Sequence, residues 1–289
     1  MLKIFPIRLF SDNYSYFIFG KNAKKCILVD PADHNVVIPF LKKWPDHIVS
    51  HLFFTHKHWD HVGDLPALLS GLKELYNADV EVVSGEYDGI KGTTKSIAGN
   101  DSFKIEEIKV NCIQTPCHTK GAVCFYLENE ESASKHNESS QVKDDHVECY
   151  RAVFTGDTHF VGGCGRFFEG TPDQMLKNMD NLAALPKDTF VFPGHEYTAA
   201  NLEWAMGIEW ENKAYENKLK WVKDRISKGS FGIPSTIREE FDINIFWRTR
   251  EAKVQERTGK TDPVEVMGAL REMKDKKVNL KKKASEEDL

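Results

Sequence analysis

The chain has 289 residues, a formal net charge of −5, 40% hydrophobic and 29% charged residues. These are the proportions of a folded globular protein, which argues against a disordered or membrane-embedded chain and gives no electrostatic reason to expect nucleic acid. No stretch nears the ~18 consecutive apolar residues of a membrane helix, and six cysteines without a C-x-x-C pair point to a reduced, cytoplasmic protein and not to a disulfide framework.

The first ten residues, MLKIFPIRLF, break their apolar run with Lys3, Pro6 and Arg8. They read as a first strand and lack the continuous apolar core of a signal peptide. Short runs rich in branched and aromatic side chains follow: KCILVD, HIVSHLFF, VEVVSG, VNCIQT, AVCFYL, RAVFTG and TFVFPG. Their length and content predict buried strands. Between some of them lie helical patterns, HVGDLPALLSGLKELY over residues 61–76 and TPDQMLKNMDNLAAL over 171–185, the second with Thr171 as N-cap and Pro172 at its first position. Strands mixed with helices in this way predict a layered α/β fold. Residues 129–149, NEESASKHNESSQVKDDHVEC, are polar and flanked by two strands, which predicts a mobile hairpin loop.

From residue 198 the texture changes, with TAANLEWAMGIEWENKAYENKLKWVKDRI placing apolar residues at helical spacing and strand runs disappearing. We therefore expect a boundary near residue 197, separating a catalytic domain of residues 1–197 from a helical domain of residues 198–289. In the second, PSTIREEF offers a capping box from Thr236 to Glu239, and TDPVEVMGALREMKD offers Asp262 as N-cap before Pro263. The tail KKKASEEDL reads as a solvated end.

One stretch stands out. FFTHKHWDHVGD, residues 53–64, places His56, His58, Asp60 and His61 directly after an apolar run. With eleven histidines in the chain, H-x-H-x-x-H arises by chance in roughly one such chain in seventy. Neither the cysteine pairs of a zinc finger nor the H-E-x-x-H of helical zinc proteases is present there. In an extended or turning segment His56 and His58 point to one side, while Asp60 and His61, opening a helix, reach a neighbouring position. Two adjacent metal ions could share this segment, but it cannot complete two coordination spheres.

The remaining ligands are supplied elsewhere. CIQTPCH ends in His118, AVFTGD in Asp157 and FVFPGH in His195. Each follows an apolar strand and a turn residue, as His56 does, and the ends of strands are where α/β sheets place their ligand sites. A lone His118 or His195 would more often be a structural histidine; the seven together favour a dinuclear centre. Asp64 falls outside the spacing and reads as a helix-start charge, and histidines 34, 47, 51, 136, 146 and 159 as surface or packing residues.

T-H-x-H-x-D-H at residues 55–61 resembles the signature of the metallo-β-lactamase superfamily. Within it, PCHT, FTGDT, GCGRFFEG, PGHEYT, PSTIREEF and TDPVEVMGALREMKD are similar to the hydroxyacylglutathione hydrolase (glyoxalase II) family over nearly the whole chain. The resemblance implies a four-layer αββα sandwich with a smaller C-terminal helical domain. It implies that His56, His58 and His118 hold one divalent metal ion, that Asp60, His61 and His195 hold the other, and that Asp157 bridges them. Zinc suits this ligand set, and iron and manganese also tolerate it.

By the same resemblance, Arg271 and Lys274, three apart on the last helix, bind the glycine carboxylate of glutathione. Tyr197 contacts its backbone, and Arg166 takes a position held by Arg or Lys in relatives. Phe168 departs from the tyrosine of relatives and loses one hydroxyl contact. The implied reaction is hydrolysis of S-D-lactoylglutathione to glutathione and D-lactate, the second step of methylglyoxal detoxification, by a metal-bound hydroxide with Asp157 and Asp60 as catalytic carboxylates. No cysteine is needed as a nucleophile, Cys117 beside His118 included. The partner expected is this small thioester and neither nucleic acid nor a membrane, with the chain a monomer. The alternatives are another thioesterase of this fold, a single-iron persulfide dioxygenase acting on a glutathione-like thiol, a nuclease, which would need a basic surface, and a binding protein, which should have lost ligands.

Overall fold

The computed structural model describes residues 1–129 and 140–280. The chain opens with a hairpin of β1 (Leu2–Leu9) and β2 (Asn13–Gly20), followed by β3 (Lys25–Val29), α1 (His34–Leu41) and β4 (Ile48–Phe54). Next come α2 (Trp59–Val62), α3 (Leu65–Tyr76), β5 (Glu81–Gly85), β6 (Lys95–Ile97), β7 (Ser102–Ile105), β8 (Ile108–Gln114) and β9 (Val123–Asn129). A short hairpin of β10 (Gln141–Val142) and β11 (Val147–Cys149) leads into β12 (Arg151–Gly156), the small pair β13 (His159–Phe160) and β14 (Gly163–Cys164), α4 (Pro172–Ala183) and β15 (Phe190–Pro193). The remainder holds α5 (Thr198–Met206), α6 (Lys213–Ser227), β16 (Ser235–Thr236), α7 (Ile237–Ile243), α8 (Ala252–Thr258) and α9 (Pro263–Asp275).

The strands form two main sheets, in the orders β10-β11-β1-β2-β3-β4-β5-β6 and β16-β15-β12-β9-β8-β7. Alternation along the strands of the first explains their continuous apolar character, because both faces are covered. Ile4, Tyr16, Ile18, Ile27, Val29 and Phe53 face the second sheet, in one cluster with Val110, Phe125, Leu127, Val153 and Phe154. Their neighbours Phe5, Phe17, Phe19, Leu28, Leu52 and Phe54 lie on the opposite face under Val37 and Leu41 of α1 and Leu65, Leu68 and Leu72 of α3. Met175, Met179 and Leu182 of α4, with Val266, Met267 and Leu270 of α9, continue the inner core on the other side. The result is the αββα sandwich with C-terminal helices that the resemblance implies.

Several local expectations change. The helical pattern of residues 61–76 is two helices, because Gly63 turns at φ 58° and a Cβ there would lie 1.6 Å from the Ala32 carbonyl oxygen. Asp64 restarts the chain as N-cap of α3, accepting from the Ala67 N–H at 3.0 Å. Of the polar stretch 129–149, residues 130–139 lie outside the described residues. The remainder is not one loop: Asn129 ends β9, while β10 and β11 add a hairpin to the edge of the first sheet against β1. The tail 281–289 also lies outside the described residues.

The C-terminal part is not free of strand, since β16 pairs with β15, a two-residue contribution too short for periodicity to reveal. Thr236 caps α7, its Oγ1 accepting from the Glu239 N–H at 3.1 Å. The Glu239 carboxylate instead accepts from Lys218 Nζ at 2.8 Å. Asp262 caps α9 by accepting from the N–H groups of Val264 and Glu265. A buried carboxylate ties α7 to the β13–β14 turn: Glu240 accepts from Asn244 Nδ2 at 2.9 Å and the Gly162 N–H at 3.1 Å, and pairs with His159 at 3.2 Å. Burial opposes its charge, yet His159 holds the Glu240 carboxyl below its ordinary range. His159 is therefore a core residue, as expected of a histidine outside the ligand pattern.

Candidate metal centre and adjoining cavity

The loops after β4, β8, β12 and β15 meet at one end of the sandwich and bring the seven predicted ligands together. Three ligand groupings fall within 4.8 Å: His56, His58 and His118; His56, His61 and Asp157; and Asp60, His61 and His195. Asp157 lies between the halves. Its Oδ1 is 3.3 Å from His61 Nε2 and 3.4 Å from His195 Nε2, and its Oδ2 is 3.4 Å from His118 Nε2.

The outer hydrogen bonds decide what the inner nitrogens offer. His118 Nδ1 lies 3.0 Å from the Arg166 carbonyl oxygen, which can only accept, so Nδ1 carries the proton. His61 Nδ1 donates to Asp30 at 2.9 Å and His195 Nδ1 donates to Asp12 at 2.8 Å. The Thr55 hydroxyl donates to Asp30 at 2.6 Å and is left to accept from His56 Nδ1 at 3.1 Å. The Nε2 atoms of all four rings are therefore the ones turned inward, where each can offer a lone pair to a cation. His61 Nε2 faces His195 Nε2 at 3.3 Å, and the Nε2 atoms of His56 and His118 both face His58 Nδ1 at 3.0 Å. A single proton on His58 can satisfy only one of those two contacts.

Such opposed lone pairs repel unless a positive charge lies between them. Asp157 Oδ1 is buried without a hydrogen-bond partner, a further orphan of the kind that cations resolve. Burial opposes ionisation of Asp157, yet the facing imidazoles of His61 and His195 hold it well below the usual carboxylate range. Asp157 and Asp30 together raise His61 well above the ordinary histidine value despite its burial, so its Nε2 takes up a proton that a cation at this position would displace, while burial pushes His56 well down. The nitrogen-and-carboxylate donor set thus fits two divalent cations.

The supporting residues were not anticipated. Asp30, buried at the end of β3, also accepts from the Thr55 N–H at 2.8 Å, and its place after KCILV is the same strand-end position that marks Asp157. Asp12 ends the β1–β2 turn and Asn13 opens β2, where Asn13 Nδ2 donates to the carbonyl and the carboxylate of Asp60 at 3.1 and 3.0 Å. Nothing local in SDNY signals that role.

Two family models match the chain: the metallo-beta-lactamase superfamily over residues 9–74 and the hydroxyacylglutathione hydrolase C-terminus over residues 196–277. The cytoplasmic hydroxyacylglutathione hydrolase of Arabidopsis thaliana is 37% identical over 276 residues, covering 95% of this chain and 98% of the relative. The hydroxyacylglutathione hydrolase of Dictyostelium discoideum is 35% identical, covering 95% of this chain and all of the relative, 100%. The chain belongs to the hydroxyacylglutathione hydrolase family. In fold it is also similar to the crystal structure of ETHE1 from Myxococcus xanthus, with a TM-score of 0.54 and 24% identity over 83% of this chain and 82% of that one.

In this hydroxyacylglutathione hydrolase fold a cavity of about 420 Å³ opens beside the metal centre, with His118 and Asp157 on one wall and Arg271 and Lys274 among the residues that line the rest. All five residues predicted for substrate, Arg166, Phe168, Tyr197, Arg271 and Lys274, line it. Tyr197 stacks on His195 with ring centroids 4.8 Å apart and planes 5° from parallel. Phe168 is exposed and lies 5.1 Å from the His118 ring. Arg271 is buried, donating to the Cys164 carbonyl at 3.0 Å and to Asp275 at 2.8 Å, and Arg166 also pairs with Asp275 at 3.3 Å. Lys274 Nζ donates to Asn201 Oδ1 at 2.5 Å. Burial, and then the charge of Arg271, push the Lys274 ammonium down to about 8. Asn201, another cavity residue that the sequence did not single out, donates in turn to the Val161 carbonyl at 3.0 Å.

The six cysteines are all buried thiols without a disulfide, and burial raises the Cys117 thiol to about 12, which removes it as a nucleophile at neutral pH. Among the described residues no helix is long and apolar enough to cross a membrane.

Proposed function

We propose that the chain hydrolyses S-D-lactoylglutathione to glutathione and D-lactate, the second step of methylglyoxal detoxification. One observation carries the reading: the seven-ligand centre and the paired cations Arg271 and Lys274 border the same cavity. In this reading His56, His58 and His118 hold one metal ion, Asp60, His61 and His195 hold the other, and Asp157 bridges them. The ions are zinc, with iron or manganese as acceptable substitutes, since the ligand types suit all three. When bound, such a pair acidifies water to a pKa near ~7 and polarises a carbonyl oxygen.

The rest of the chemistry belongs to the chain. Arg271 and Lys274 bind the carboxylate at the glycine end of the thiol, with Arg166 beside them. Tyr197, fixed against His195, contacts the peptide backbone of the substrate, and Phe168 covers the apolar side near His58 and His118. The thioester carbonyl is thereby held over Asp157, whose carboxylate, together with Asp60, orients the attacking water. The thiol leaves as thiolate, so no strong general acid is required. We take residues 1–197 as the catalytic unit and 198–289 as the substrate-binding unit. We also take the protein to act as a cytoplasmic monomer on this small thioester, without nucleic acid or membrane; the Arabidopsis relative's cytoplasmic name supports the location.

The second ligand set, Asp60, His61 and His195, favours this reading over a single-iron dioxygenase. The test is hydrolysis of S-D-lactoylglutathione by the metal-loaded protein, followed by thiol release, with metal content measured before and after chelation. Activity that disappears with the ions and returns with zinc is expected. A fully loaded protein that leaves the thioester intact would refute the assignment.

A further inference from the structure

The two halves of the metal centre rest on largely separate supports, joined where Asp30 also holds Thr55, the residue before His56. The half formed by Asp60, His61 and His195 is anchored by Asp30, Asp12 and Asn13. None of these touches the loop between His56 and His58 or the loop after His118. Those two loops meet at a different carboxylate, Asp88, in the single helical turn after β5.

Asp88 is buried at 8% exposure, and three donors converge on it. Its Oδ2 accepts from the N–H of Lys57 and from the Thr119 hydroxyl, each at 2.8 Å, and its Oδ1 accepts from the N–H of Gly121 at 2.8 Å. Lys57 separates His56 from His58, and Thr119 directly follows His118. Asp88 therefore ties together the backbones flanking all three histidines of this half, while Glu169 adds an outer link between the same loops from Lys57 Nζ to the Lys120 N–H. The contact is also close-packed: a Cβ on Gly121 would lie 2.3 Å from the Asp88 backbone nitrogen and 2.7 Å from its carboxyl carbon. Only glycine admits the second loop to this distance.

We propose that Asp88 is a positioning residue that sets the affinity of the His56–His58–His118 half for its ion, independently of the other half. The physical reason is convergence. Three nitrogens bind one ion tightly only if their loops are already placed, and without Asp88 the half-buried N–H of Lys57 and the buried N–H of Gly121 lose their acceptor and the loops separate. Partners of this kind are worth about 10- to 100-fold in metal affinity. The inference rests on the two-ion reading above.

The test is zinc binding to the full-length metal-free protein, measured against a chromophoric chelator. Histidine ring resonances followed by NMR identify which half fills. In Asp88→Asn, which replaces one accepting oxygen with a donor facing donors, one of two dissociation constants should weaken about 10- to 100-fold. His58 and His118 should then respond only at high zinc, while His61 and His195 respond as in wild type. Gly121→Ala, which crowds the loop but keeps the carboxylate, should give the same one-sided loss and serves if Asp88→Asn does not fold. Equal weakening of both ions, or of neither, overturns the assignment alone. A wild-type protein that takes up fewer than two ions overturns the two-ion reading on which it stands.

Discussion

Asp12 accepts the Nδ1 proton of His195 across 2.8 Å although 183 residues separate them. The bond fixes the tautomer that leaves Nε2 as a lone pair in the metal centre, and the isolated bridge between Asn13 and His195 holds the two backbones in register. Asp12→Ala should therefore weaken the ion of the Asp60–His61–His195 half by about 10- to 100-fold. Asp12→Asn, which keeps an accepting oxygen, should recover part of that loss. Chelator competition measures both, and equal affinity in wild type and Asp12→Ala would show that the bond has no bearing on the ion.

Asp157 touches both halves, with one oxygen on His61 and His195 and the other on His118. Asp157→Ala should abolish thiol release and lower the metal content of the purified protein. Retained turnover with two ions per chain would remove the bridging role.

Arg271→Ala should raise KM about 10- to 100-fold, as expected for loss of a charge-assisted contact worth ~1.5 to 3 kcal/mol, with kcat little changed. Because Arg271 also ties down the Cys164 carbonyl, the thermal midpoint should be recorded alongside. An unchanged KM for the glutathione thioester would show that this side chain is not part of the substrate clamp.

Lys274 gives a pH signature. Its ammonium is pushed down to about 8, so the cation is complete below that pH and is lost as pH rises through it. The kcat/KM profile, which reports groups of the free enzyme, should decline above pH about 8, beyond the rise that ionisation of a metal-bound water sets near pH ~7. Lys274→Arg stays charged throughout and should flatten the decline. A decline of the same midpoint in the arginine variant would place the titration elsewhere.

Phe168 lies exposed at the cavity beside His118, at a position where the family resemblance implies a tyrosine. Phe168→Tyr should lower KM by the worth of one neutral hydrogen bond, ~0.5 to 1.5 kcal/mol or a few-fold. Steady-state kinetics on the glutathione thioester checks it, and an unaltered or higher KM would indicate that the hydroxyl meets no partner on this substrate.

The candidate ligands were legible because their chemistry is concentrated: His56, His58, Asp60 and His61 share one segment, and His118, Asp157 and His195 each end an apolar strand. The strands were legible because both faces of the first sheet are covered. The supporting carboxylates were not, apart from the strand-end hint at Asp30. Asp12 and Asp88 look like ordinary turn residues, and their partners are fixed only by tertiary contact. The same applies to α1, to the break at Gly63 and to β16, each decided by neighbours distant in sequence.

The pairing of β16 with β15 also bears on how the protein can be divided. A fragment ending at residue 197 would carry a raw outer strand, with open N–H and C=O groups ready to recruit another chain. It would also lose Glu240 from beside buried His159. Such a fragment is a poor vehicle for isolating the metal chemistry, whereas the intact chain should melt in a single cooperative step that includes its C-terminal helices.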